Sequence, residues 1–395
     1  MARELEHSLQ GSSLYFRALR GMCGRRTGSR ISSPSRKVFF APFASENPYL
    51  QHLGEALGTL GVETTGRQSW WILWPAIRAR AQIVHLQWLD IFFARRNLVR
   101  SLVIFTLYVL QLLLLRATGV KIFWTVHNLR SHERRFPLLD RMCSAVAGRL
   151  SNGIFVHCEW AKSKLLSAFP WLPPYRIIVA YHPSYIGSYS NSVSKTAARS
   201  ELGVNGERPV FLFLGAIRPY KGVLELVDAF VRCGLHERAA LLIAGKPQTT
   251  KLASILQEQA RTGHNIYLHL DFIANNRIQL FMNAADVVVF PYRDIFTSGA
   301  ALLAMSFGKA IIAPRIGCIS EVLEPDGAYL YDRESPNGLT NAISRAAMEL
   351  ERLPAMGLYN LQRAKEFTWR DMAKRIAVAY GRSVALEGTV EKNLL

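Results

Sequence analysis

Cysteine is scarce: five residues (Cys23, Cys143, Cys158, Cys233 and Cys318) are scattered through 395, and none forms a Cys-x-x-Cys pair. That spacing argues against structural zinc and leads to the expectation of free thiols in a reducing compartment. Asp-x-Asp is missing as well, so a metal-bridged diphosphate is not expected and no metal or other cofactor is implied. Acidic residues are few, 29 against 48 basic ones, a net charge of +19. No helix-turn-helix, RRM, KH or zinc-finger signature accompanies that charge. A nucleic-acid partner is therefore set aside in favour of an anionic membrane surface. The N-terminus lacks the apolar core of a secretory signal. The expected location is the cytoplasm, peripheral to the inner face of the cell membrane.

One long apolar run stands out, Leu102 to Leu115, fourteen residues with Arg95, Arg96 and Arg100 before it and Arg116 after. It falls short of the roughly 20 residues that span a bilayer. Two readings stand: a core helix of an α/β domain, or an interfacial helix whose arginines reach the headgroups. The charge is unevenly placed. Residues 1–180 hold 24 Lys/Arg against 9 Asp/Glu, and residues 181–395 hold 24 against 20.

Apolar strand patterns alternating with helical ones are abundant. Half of the residues are hydrophobic, enough for two domains with separate cores. Residues 1–36, rich in Arg, Ser and Gly, read as a basic, disordered extension. Strand candidates at Lys37–Ala41, Gln82–Gln87, Val120–Val126, Gly153–His157 and Arg176–Ala180 define a first domain over 37–183. A Ser/Asn-rich linker (184–204) and a second domain (205–366) follow. The alternation predicts α/β architecture with a doubly wound parallel sheet.

Two strand–loop–helix passages in the second domain carry chemistry. The apolar run Pro209–Gly215 leads into Ala216-Ile217-Arg218-Pro219-Tyr220-Lys221-Gly222 and then a helix. Arginine presents a planar fork and lysine a compact charge, a pair suited to a diphosphate. The strand ending at Phe290 leads through Tyr292 to Thr297-Ser298-Gly299, which opens an Ala/Leu/Met helix stopping at Gly308. Unpaired amides and the positive end of the helix dipole converge there. Gly299 allows close approach, and the two hydroxyls add donors.

With these landmarks in order, the run from about Pro209 to Ser335 resembles the nucleotide-sugar-binding domain of GT-B glycosyltransferases, most closely family four. The resemblance implies two Rossmann-like domains facing across a cleft. It implies a donor diphosphate held by Arg218, Lys221, Thr297, Ser298 and Gly299, with Gly215, Phe272 and Tyr292 near the nucleotide or sugar. The segment from Phe367 onward (367–395) resembles the C-terminal helix that crosses back to the first domain. The chain departs from the family at two places. The paired glutamates usual there are replaced by Ile295 and Leu303, and the common arginine position is Ala216.

On the first domain, His127 at the end of its strand resembles the histidine that many GT-B enzymes place beside the donor sugar, and is the catalytic candidate. Acceptor-side candidates are Asn47 after the first strand, Asp90 after the second, and Glu133 with its neighbour His132. His157-Cys158-Glu159 closes another strand. The function the resemblance implies is transfer of a hexose, from GDP-mannose or a UDP-hexose, to a hydroxyl of a lipid-linked glycan. The alternative is a non-catalytic subunit of the same fold that binds a glycan or a partner. A retaining or an inverting outcome is left open.

Overall fold

Segments such as Val210–Leu214 and Ala240–Ala244 have no polar side chain to offer water on either face, which suits strands covered by helices on both sides. In the computed structural model, which describes residues 36–45, 47–130, 136–204, 206–261, 263 and 265–381, such strands form two parallel six-stranded sheets. The first holds β1 (Arg36–Ala41), β2 (Val62–Gly66), β3 (Ile83–Leu86), β4 (Lys121–Thr125), β5 (Gly153–Val156) and β6 (Ile177–Val179), ordered β2-β1-β3-β4-β5-β6. The second holds β7 (Val210–Leu214), β8 (Ala240–Ala244), β9 (Ile266–His269), β10 (Val287–Val289), β11 (Ala310–Pro314) and β12 (Ala328–Tyr331). Its order is β12-β11-β10-β7-β8-β9. Each sheet reverses its winding once, between β1 and β3 and between β7 and β10. Ligands of open α/β sheets bind beyond the carboxyl ends at such switch points.

Two edge strands, β2 and β12, were not among the strand candidates. β2 alternates between buried and exposed residues and so lacks the continuous apolar run of its neighbours. The segment 184–204, expected as a linker, carries the helix Lys195–Glu201, capped by Ser194 through its bond to Ala197 N. Arg199 fixes that helix to the second lobe, with Nη2 2.7 Å from Asp286 Oδ2 and Nε donating to Ala284 O.

The helix Trp369–Ala379 returns to the first lobe. Met372, Ala373, Ile376 and Ala377 share a buried cluster with Val38, Phe40, Leu50 and Leu53. Just past it, the Tyr380 hydroxyl meets His85 Nδ1 at 2.6 Å, and His85 Nε2 meets Thr125 Oγ1 at 2.7 Å. Burial, then the nearby His157, lowers His85 to about 3. The ring is therefore neutral and serves as a polar peg inside the core.

The free-thiol expectation needs correction. Cys158 and Cys318, 160 residues apart, form a disulfide. Cys143 and Cys233 are free, and Cys23 lies outside the described residues. Cys158 opens the helix Glu159–Ala168 after β5, and Cys318 precedes the helix Ile319–Val322 after β11. The fold sets these two sheet ends against each other, a proximity that no sequence spacing encodes. Beside the bond, the Glu321 carboxylate accepts from the Glu159 and Trp160 amides, capping one lobe's helix with the other lobe's side chain.

Candidate functional site

The basic loop is shaped by its glycines. Gly215 ends β7 at φ +141, and Gly222 sits at φ +66 where a Cβ would stand 1.9 Å from Pro291 O. Only glycine permits both that backbone angle and that approach. The contact, with Arg293 N donating to Tyr220 O at 2.8 Å, draws the loop after β7 against the segment after β10. Lys221 Nζ lies 5.7 Å from the ring centroid of buried Tyr292. Burial, then the charge of Arg218, lowers Lys221 to about 8. The site thus holds a cation short of counter-charge.

The second loop follows on the same edge. Ser298 Oγ accepts from Ala301 N at 3.2 Å and caps the helix Gly299–Ser306; burial raises the Tyr292 hydroxyl, and the Ser298 side chain beside it offsets part of that rise. Tyr292 therefore neighbours both Lys221 of one loop and Ser298 of the other. Thr297 Oγ1 donates to His127 O at 3.2 Å across the lobes. At Gly299 a Cβ would come within 3.3 Å of His182 Nε2 and of the Tyr185 hydroxyl.

On the first lobe, His127 stacks on Trp88 with ring centroids 4.3 Å apart and meets Tyr49 edge-on at 5.0 Å. Its Nε2 is 2.8 Å from Gln87 Oε1. An amide oxygen only accepts, so Nε2 carries the proton and Nδ1 is left as an acceptor. Burial, followed by His157, His182 and His85, holds His127 well below the ordinary histidine range. His157 and His182 are neutral too, lowered mainly by burial to about 3 and about 4. The buried Nε2 of His157 has no hydrogen-bond partner.

A cavity of about 580 Å³ lies between the lobes, lined by Asn47, Gln87, Trp88, Asp90, His127, Asn128, Arg130, Asp140, Ser144 and Arg218 among others. The structure thereby brings Asn47, Asp90, His127 and Arg218 to one space. Asn47 also caps the helix Pro48–Thr59, its Oδ1 accepting from Tyr49 N at 3.0 Å. Phe272 stands apart, 76% exposed after β9, two strands from β7. Glu133 and His132 lie outside the described residues. Sequence reasoning missed Gln87, Trp88, Asp140 and Ser144. Gln87 was legible as the polar residue ending an apolar strand, and Asp140 and Ser144 as an i, i+4 pair on the helix Pro137–Leu150.

Ile295 and Leu303 are packed in the core of the second lobe. A Cβ at Gly317, which has φ +58, would lie 2.3 Å from Ile295 O, so that turn is closed around the apolar side chain. Among the described residues no three His, Cys, Asp or Glu side chains are grouped to hold a metal ion.

Comparison with known proteins adds to this geometry. The family model described as glycosyl transferases group 1 matches residues 208–349. The GDP-mannose:glycolipid 4-beta-D-mannosyltransferase of Xanthomonas campestris pv. campestris is 25% identical over 333 residues, covering 83% of this chain and 88% of that protein. Among solved structures, sucrose-phosphate synthase from Thermosynechococcus elongatus superposes with TM-score 0.68 at 16% identity over 88% of this chain and 98% of the other. HepE of Anabaena in complex with UDP-glucose gives TM-score 0.66 at 16% identity over 87% and 99%.

Proposed function

From the premise that this chain is a GT-B glycosyltransferase of the family-four type, using a nucleotide-sugar donor, we propose that it moves a hexose to a hydroxyl of a lipid-linked glycan. GDP-mannose is the first donor to test, because the Xanthomonas relative is named for GDP-mannose and a glycolipid. The observation that carries the reading is the grouping of Lys221 and Ser298 about Tyr292 at the switch point of the second sheet. A half-buried lysine pressed by Arg218, beside the start of a capped helix, suits a diphosphate whose charge grows as the sugar leaves.

In this reading Arg218, Lys221 and the amides opening the helix Gly299–Ser306 stabilise the departing diphosphate, and a bound metal is assigned no part. His127 is a poor base, because burial and the neighbouring histidines hold its pKa well below the ordinary range, and it is assigned no proton transfer. Its Nδ1 accepts a hydrogen bond from a donor-sugar hydroxyl, while Gln87 holds the ring in place. Phe272 offers an exposed ring to the nucleotide base. The Xanthomonas relative is named for a β-linked product. An inverting transfer of that kind needs a carboxylate to take the acceptor proton, and Asp90 lines the cavity from the first lobe as Arg218 does from the second.

Thermal shift with GDP, UDP and ADP tests the donor site. A nucleotide at about 100 times its Kd stabilises the folded chain by about 2.7 kcal/mol. If none of the three raises Tm, the second reading takes over, a non-catalytic subunit of this fold, which the burial of Ile295 and Leu303 favours.

A further inference from the structure

The helix Leu98–Ala117 has two faces of different character. Tyr108, Leu112 and Leu115 are fully buried, and Gln111 Oε1 accepts from Ile72 N at 2.7 Å and Leu73 N at 3.1 Å. The opposite face is exposed, and it is apolar along most of its length, with Thr106 the one polar break between Arg100 and Arg116. Val99 is 70% exposed, Val103 52%, and Leu110 and Leu113 50% each, with Leu102 and Leu114 beside them. No charged residue stands between Arg100 and Arg116. A helix of 20 residues is about 30 Å long, so this stripe exceeds the scattered apolar contacts normal on a soluble surface.

The stripe continues onto its neighbours. Trp74 and Ile77 of the helix Leu73–Arg78 are exposed on one side, and Leu138 and Met142 of Pro137–Leu150 on the other. Basic residues frame it: Arg96 just before the long helix, Arg100 and Arg116 on it, and Arg78 and Arg141 on the flanking ones, all exposed. The half of the chain that carries this face also holds the charge excess, 24 Lys/Arg against 9 Asp/Glu in residues 1–180.

We propose that this face docks the first lobe on an anionic bilayer, with the helix Leu98–Ala117 lying in the plane of the interface and its arginines on lipid phosphates. Spanning is excluded by the inward face, since withdrawing the helix would expose Tyr108, Leu112 and Leu115 and strip Gln111 from the Ile72 and Leu73 amides. A second copy of the chain is disfavoured by charge, because two such faces would bring like-charged arginine rims together. Position supports the bilayer. Ile91, Ala94 and Arg95, just before the helix, line the cavity, as do Asp140 and Ser144 on the helix bearing Leu138 and Met142. A lipid-linked acceptor therefore passes from the docked face to the cavity within a few residues. The inference rests on the proposed lipid-linked acceptor.

The test is co-sedimentation of the full chain with phosphatidylcholine vesicles, with and without phosphatidylglycerol. The wild-type chain is expected to bind the anionic vesicles and to stay bound when salt is raised. Leu102→Ser, Leu110→Ser and Leu113→Ser together should weaken binding at least 100-fold. Arg96→Glu with Arg100→Glu should weaken it by about fivefold or more per arginine. Both variants should keep the wild-type Tm and its shift with the stabilising nucleotide, which shows that fold and donor site are intact. Three results would overturn the proposal: no binding to anionic vesicles, binding unchanged in the serine variant, or complete release by salt. Concentration-dependent dimerisation that the serine variant abolishes would reassign the face to a second copy. Failure of the nucleotide shift alone strikes the donor-site reading and leaves vesicle binding to stand or fall separately.

Discussion

Donor affinity should decline with alkaline pH because of Lys221. In the folded chain burial and Arg218 lower this lysine from 10.5 to about 8, so keeping it charged costs on the order of 3 kcal/mol relative to water. A diphosphate against Nζ restores the missing counter-charge and raises the lysine again. Below about pH 8 the free protein already holds the proton, and affinity is flat. Above it, binding must recruit a proton, and Kd rises up to about tenfold per pH unit. The same lowering acts oppositely on stability: between about 8 and 10.5 the unfolded chain binds more protons, so this group's contribution to stability rises with pH. Isothermal titration with the stabilising nucleotide from pH 7 to pH 9, in buffers of different ionisation enthalpy, reads both Kd and proton uptake. Lys221→Arg, which keeps its charge throughout, should flatten the profile. A flat wild-type profile, or the same slope in Lys221→Arg, refutes the assignment.

Other outcomes follow from single contacts. Gly222→Ala should lose about 2 kcal/mol or more of stability and most nucleotide affinity, because its Cβ collides with Pro291 O; denaturant unfolding with a nucleotide titration checks both. Restoring a family-like carboxylate by Leu303→Glu should lower stability by roughly 3 kcal/mol and leave nucleotide affinity unimproved, since the site is core; a tighter-binding variant would show that the position faces the donor. Cys158→Ser should lower stability by about 2 to 4 kcal/mol in oxidising buffer, and thiol counting on the unfolded protein should gain the Cys318 sulfur. Lys221→Ala should cut transfer at least 100-fold while Tm holds or rises, since the cost of the charge is relieved, and undiminished turnover would remove it from the leaving-group site.

The fold was legible because its strands are near-continuous apolar runs. Val210–Leu214 and Ala310–Pro314 offer no alternative to a covered parallel sheet, while β2, with its alternating Glu63 and Thr65, resembles any surface segment. The anion loops were legible because glycine, hydroxyl and cation recur at strand ends. What stayed hidden is what only the meeting of distant segments creates. Thr297 reaching His127 O, Glu321 capping a helix of the other lobe, and the Cys158–Cys318 pair each join residues more than 150 positions apart. Asp140 left only its i, i+4 spacing with Ser144 as a signal, because an acid in a helix's first turn also satisfies the dipole, and the packing of its helix is what brings it to the cavity.

Where the lobes are joined decides how they can part. Both chain crossings lie together, with Ser184 N bonded to Phe367 O, and Glu321, three residues beyond Cys318, shares a hollow with Tyr181, Phe367 and Thr368. Among the described residues every covalent tie between the halves thus runs along a single seam beside β5 and β6, like a book sewn at its spine. The free margin is the side of β1, β3 and β4, where Asn47, Asp90 and His127 look across to Arg218. Opening about that spine would have to break the Thr297 bond to His127 O, and would leave the sewn edge in place.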